Sequence, residues 1–123
     1  MVDMSSVLVL GFDPHAVPDT DAEALQSALD AELARFADHA LDASVALLPV
    51  DASAVSVAVA ALTERKWDVV VIGGGIRKPE PALLFFEQVV NLVREHAPGA
   101  ALAFNSGIGD TFEAARRRLP AAP

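Results

Sequence analysis

A chain of 123 residues, 53% hydrophobic and 21% charged, fits a single domain spanning residues 1–123. It has enough apolar groups to bury roughly two-thirds of its unfolded surface, which excludes general disorder. The formal charge of −8 and pI near 4.6 argue against a nucleic-acid or anionic-membrane partner, since both need a basic face; Arg116, Arg117 and Arg118 are too local to reverse that. Absence of cysteine excludes disulfides, thiolate catalysis and thiolate-held metal, no apolar run reaches the ~20 residues of a membrane span, and Met1-Val2-Asp3-Met4 lacks a basic secretory start, so a cytoplasmic location is expected.

Ser6–Phe12, SVLVLGF, is an apolar run closed by Gly11, Asp13 and Pro14 and reads as a buried strand. After a polar loop containing His15, Thr20 and Glu23 fit a capping box. Leu25, Leu29, Leu33, Phe36 and Ala40 then recur at helical spacing, so an amphipathic helix is expected over 21–41, with His39 beside its stripe near the cation-favouring end. Residues 43–50 form a second strand, broken late by Pro49 in the manner of an edge strand. Asp51 or Ser53 can cap a helix carrying Val55, Val59 and Leu62, which ends near Arg65, Lys66 and Trp67.

The central stretch, DVVVIGGGIRKPEP at 68–81, is a β-branched strand, Val69–Ile72, that stops at three glycines and then presents Arg77, Lys78 and Glu80 between prolines. Pro81 suits a helix first turn, and 82–97 is the most apolar helix of the chain. Glu87, Gln88, Asn91, Arg94 and Glu95 share one arc and about half the circumference is apolar, with His96 expected to pack there as a hydrogen-bonded group. Packing on one sheet does not need so wide a face, so self-association through helix 82–97 is expected. Residues 100–104 form a fourth strand ending at Asn105, Ser106 and Gly107; Phe112, Ala115 and Leu119 line a last helix, and 120–123 are expected to fray.

Strand then helix, four times over, with continuously apolar strands, predicts an α/β three-layer sandwich. Its core is a four-stranded parallel sheet flanked by helices in the flavodoxin-like order 2-1-3-4. Ligands of such sheets bind beyond the strand carboxyl ends where the winding reverses, here between the first and third strands. The loop of Asp13 and that of Gly73 to Glu80 should therefore meet.

The motifs GGGIRKPEP, LLFFEQVVN, REHAPGA, FNSG and DTFEA between Val70 and Ala115, with LVLGFDP near the start, resemble those of a group of small uncharacterised bacterial α/β proteins of similar length. The resemblance covers about the last two-thirds of the chain. It implies a flavodoxin-like arrangement and no particular activity. In that group the loop after GFDP tends to be longer than residues 15–20 here.

The candidate ligand site comprises Gly73, Gly74, Gly75, Arg77, Glu80, Asn105 and Ser106. The glycines let a ligand approach backbone, Arg77 and Lys78 can hold a carboxylate or phosphate, with Arg77 expected to hold the anion, and Asn105 and Ser106 offer hydrogen bonds from the next strand end. Arg77 can instead pair internally with Asp13, Glu80 or Asp110. Neither G-x-G-x-x-G nor G-x-x-x-x-G-K-[ST] is met. The acidic loop after the first strand does not suit flavin mononucleotide, and the glycine at the third strand end excludes a phosphoaccepting receiver. His15 next to Asp13 is a candidate acid–base pair; with His15, His39 and His96 on separate elements, no metal and no cofactor is expected. The expected function is binding of a small anionic or polar metabolite. The alternatives are a cofactor-free isomerase or lyase using Asp13 and His15, and a dimeric interaction module.

Overall fold

The computed structural model describes residues 5–119; the expected fraying of 120–123 falls outside them. Four parallel strands, β1 (Ser6–Phe12), β2 (Asp42–Leu48), β3 (Val69–Ile72) and β4 (Ala101–Phe104), form one sheet in the order β2-β1-β3-β4, as the apolar runs predict. Alternation along the strands divides the core into two layers. Val7, Val9, Val69 and Val71 face α1 (Ala22–Asp38) and α5 (Thr111–Arg118). Leu8, Leu10, Val70 and Ile72 face α2 (Ala54–Thr63) and α4 (Leu83–His96). Burial on both faces is why these strands are uniformly apolar, and the result is a flavodoxin-like three-layer sandwich.

Element ends depart from the sequence pattern. Helix α1 is capped by Asp21, whose carboxylate accepts from Ala24 N at 3.0 Å, while Thr20 Oγ1 donates back to Val17 O at 2.8 Å. The expected Thr20–Glu23 box is replaced because Asp21, one residue on, offers the stronger acceptor. The helix ends at Asp38 instead of 41. Ala40 turns left-handed with φ of 57°, and Leu41 N and Ala40 N donate to Phe36 O and Ala37 O, the double closure of a Schellman ending.

The glycine stretch, read as a loop, is partly helical: Gly74–Arg77 makes a one-turn helix, α3. Gly73 N extends the β1–β3 ladder by donating to Leu10 O at 2.8 Å, and fully buried Ile76 pulls the next turn into the α2–α4 layer. Beyond the Glu80–Ala82 turn, α4 buries Val89 and Val93 and leaves Leu83 and Leu84 57% and 77% exposed. His96 lies half-buried at the end of α4, 3.9 Å from Glu95. Among the described residues no helix is long and apolar enough to cross a membrane.

Candidate functional site

The chain leaves β1 toward one face of the sheet and β3 toward the other, so the segments after these neighbouring strands diverge. A cavity of about 420 Å³ opens there on the α1 side, within the usual range of small-molecule sites. Its walls are mainly apolar: Val9 and Leu47 from the sheet, Leu25 and Leu29 from α1, and Ile108 from the loop after β4.

Gly11 creates much of this room. It continues the row of Val7 and Val9 toward α1, yet a Cβ built at Gly11 would meet nothing within 4 Å. Any larger residue at this strand position would project into the cavity. Gly73 differs, because a Cβ there would stand 3.1 Å from Leu10 O; glycine allows β3 to end tightly against β1. All three glycines, Gly73, Gly74 and Gly75, line the cavity.

The two adjacent cations part company. Arg77 turns beneath the strand ends, where Nε donates to Ile72 O at 2.8 Å and Nη2 to Asn105 Oδ1 at 3.0 Å and to Asn105 O. Its guanidinium also lies 5.2 Å from the Phe104 ring centre. Burial lowers the Arg77 pKa, opposed by nearby Asp110. Arg77 thus ties β3 to the end of β4 and is not among the residues lining the cavity. Lys78 lines it instead. Its chain lies across Gly74, where a Cβ would meet Lys78 Cε at 3.2 Å, and Nζ donates to Ser106 O.

Asn105 borders the cavity, is 4% exposed, and has a committed side chain: Oδ1 accepts from Arg77 and Nδ2 donates to Thr111 Oγ1 at 3.0 Å. Ser106 faces Asp110, which accepts from Ser106 Oγ at 2.7 Å, Ser106 N at 2.9 Å and Gly107 N at 3.0 Å. Partial burial pushes the Asp110 carboxyl up, but these bonds and the charge of Arg117 outweigh it and hold the pKa below the ordinary range. Glu80 is exposed on its turn, outside the cavity wall. Asp13 Oδ1 accepts from His15 N at 3.0 Å and lies 3.4 Å from His15 Nδ1. That pair closes the Pro14–Ala16 turn, with the His15 side chain 63% exposed, and neither residue reaches the cavity.

Of the sequence candidates, Gly73, Gly74, Gly75 and Asn105 converge; Arg77, Glu80, Ser106, Asp13 and His15 stand outside. In the sequence Gly11 reads only as closing its strand, although a glycine within a strand is a signal of close approach by a ligand or backbone. Leu25 and Leu29 carry no separate signal, because a helical stripe reads the same over a cavity as over a packed core.

No family model and no curated protein matches the chain. The functional reading therefore rests on geometry.

The described residues form further openings. A shallow apolar groove of about 590 Å³ lies across the sheet, between Val50 and Phe85, and shares Phe12, Val17, Gly75 and Pro79 with the first cavity. At the strand amino ends, Arg65, Lys66, Trp67 and His96 border another of about 700 Å³. There Arg65 pairs with Asp42 at 2.6 Å and stacks 5.1 Å from the Trp67 ring centre, and the cations sit beside the C-terminal ends of α2 and α4, which favour positive charge.

Proposed function

We propose that this protein binds a small anionic metabolite in the cytoplasm, in the cleft beyond the carboxyl ends of β1 and β3. The observation that carries this reading is the open cavity at the winding reversal, kept empty by Gly11 and bordered by the Lys78 ammonium. Lys78 would hold the ligand's charge and the glycine backbone would allow close approach. The test is a thermal-shift screen of small carboxylates and phosphates on the native chain and on Gly11→Val. Valine suits a strand and has space at this position, so the variant should fold and lose every ligand-induced shift. Shifts that persist unchanged in folded Gly11→Val would overturn the cavity as the site.

The acid–base alternative gains nothing from the positions of Asp13 and His15, which lie outside the cavity wall. A second reading has a specific observation behind it: Leu83 and Leu84 are exposed on α4, and Phe104 is 42% exposed beside Phe86 on edge strand β4. These support self-association through the α4 side, compatible with ligand binding in the cleft.

A further inference from the structure

We infer that the ligand is an amphipathic carboxylate, with its acid group at Lys78 Nζ and an apolar tail that leaves the cleft over Gly75 and lies in the groove beside Phe85. This rests on the cleft being the ligand site and adds the chemistry and path of what fills it.

Three observations converge. The cleft and the groove are contiguous, meeting at Phe12, Val17, Gly75 and Pro79, so an elongated molecule can occupy both. Charge along this path is sparse. Among the described residues, Lys78 is the one charged side chain lining the cleft and Asp51 the one lining the groove, its carboxylate engaged by Ser53 N at 2.7 Å and Ser53 Oγ at 2.5 Å. The uncharged polar groups of the cleft are also committed: Thr20 Oγ1 donates to Val17 O, Thr111 Oγ1 donates to Ile108 O, and Asn105 binds Arg77 and Thr111. Among the described residues Lys78 Nζ has one bond, to Ser106 O, and an ammonium carries three donors, which leaves it able to receive a carboxylate. A single cation matches the single charge of a carboxylate, and the apolar walls suit the hydrocarbon attached to it.

Gly75 supplies the third observation. Its φ is not positive, and a Cβ there would meet only Phe12 Cδ2 at 3.9 Å. Neither backbone conformation nor packing requires glycine, and glycine weakens a helix. What a side chain at 75 would do is stand in the passage, because this residue lines both cavities.

The test is calorimetric titration of the native chain with straight-chain carboxylates of about four to about twelve carbons, for which affinity should rise roughly fourfold per methylene until the groove is filled. Lys78→Met should weaken acid binding by roughly tenfold or more and leave the primary alcohols of equal length unaffected. Gly75→Leu should remove the gain from the longer tails and spare the short acids. Affinity independent of chain length, or alcohols binding as tightly as acids, would overturn the amphipathic carboxylate. The cleft itself survives that outcome if short anions still bind and Gly11→Val abolishes their binding. If acids of no length bind and no other small anion shifts the native melting temperature, both readings fail together.

Discussion

At the scale of single residues, Arg77 and Lys78 show how one step along a helical turn separates two cations of equal charge. Arg77 reaches the carbonyl ends of β3 and β4, while Lys78 passes over Gly74 to the cleft. Replacing Arg77 by alanine removes charge-assisted bonds to Ile72 O and Asn105 and should lower unfolding stability by about 1–3 kcal/mol; Lys78→Met should change it by less than about 0.5 kcal/mol. Urea denaturation of both variants measures the contrast, and equal losses would contradict it. Asp110 offers a pH signature. Its folded pKa is held below the ordinary 3.8, so its stabilisation is fully present above that value and is lost as pH falls through the lower folded one. The stability gap between the native chain and Asp110→Asn should therefore close in acid, measured by denaturation between about pH 2 and pH 5; a gap that widens toward acid would refute the sign. Glu32 is a buried acid that sequence reading passed over. It is 5% exposed and accepts from Phe112 N at 2.8 Å and Arg35 Nη1 at 3.0 Å, but on α1 it looks like any other surface acid.

At the scale of elements, periodicity located every long helix and strand, while their ends followed local hydrogen bonding that periodicity does not encode. The close of α1 is the clearest case. Ala40 occupies the left-handed position where glycine is favoured, a conformation costing an L-residue about 1–2 kcal/mol. Ala40→Gly should stabilise the protein by about 1 kcal/mol and raise Tm by about 4 °C, read by calorimetry; a lower Tm would show that the alanine methyl makes a compensating contact. The glycine stretch illustrates the converse. Three glycines after a strand suggested loop, yet Ile76 anchors α3 in the core, and that anchoring sets which of Arg77 and Lys78 faces the cleft.

For the whole molecule, the wide apolar arc read on helix 82–97 is largely covered by the fold, with Phe85, Phe86, Val90 and Leu92 packed against the cluster that holds Val89 and Val93. Leu83 and Leu84, in the first turn and with Leu84 among the polar positions, remain outside. If this end of α4 mediates self-association, sedimentation equilibrium will show a concentration-dependent dimer that Leu84→Glu converts to monomer without unfolding it. A native chain that stays monomeric at all accessible concentrations would remove that reading. The candidate site was less legible than the fold: the order 2-1-3-4 told where the winding reverses, hence where a cleft opens, and the glycines marked its edge. Which side chains face the cleft was not legible, because that depends on the turn of α3 and on the empty space beside Gly11.

The sequence by itself determined the strand–helix alternation, the doubly covered parallel sheet and the position of the crevice. Hydrophobic runs and right-handed crossovers admit few other arrangements. Only the tertiary structure decided that Arg77 braces strand ends while Lys78 borders the cavity, and that Gly11 leaves a void where a strand would ordinarily carry a side chain. Periodicity states which face of an element is apolar; whether that face meets a neighbour or an opening depends on the distance to the next element, which no single segment contains.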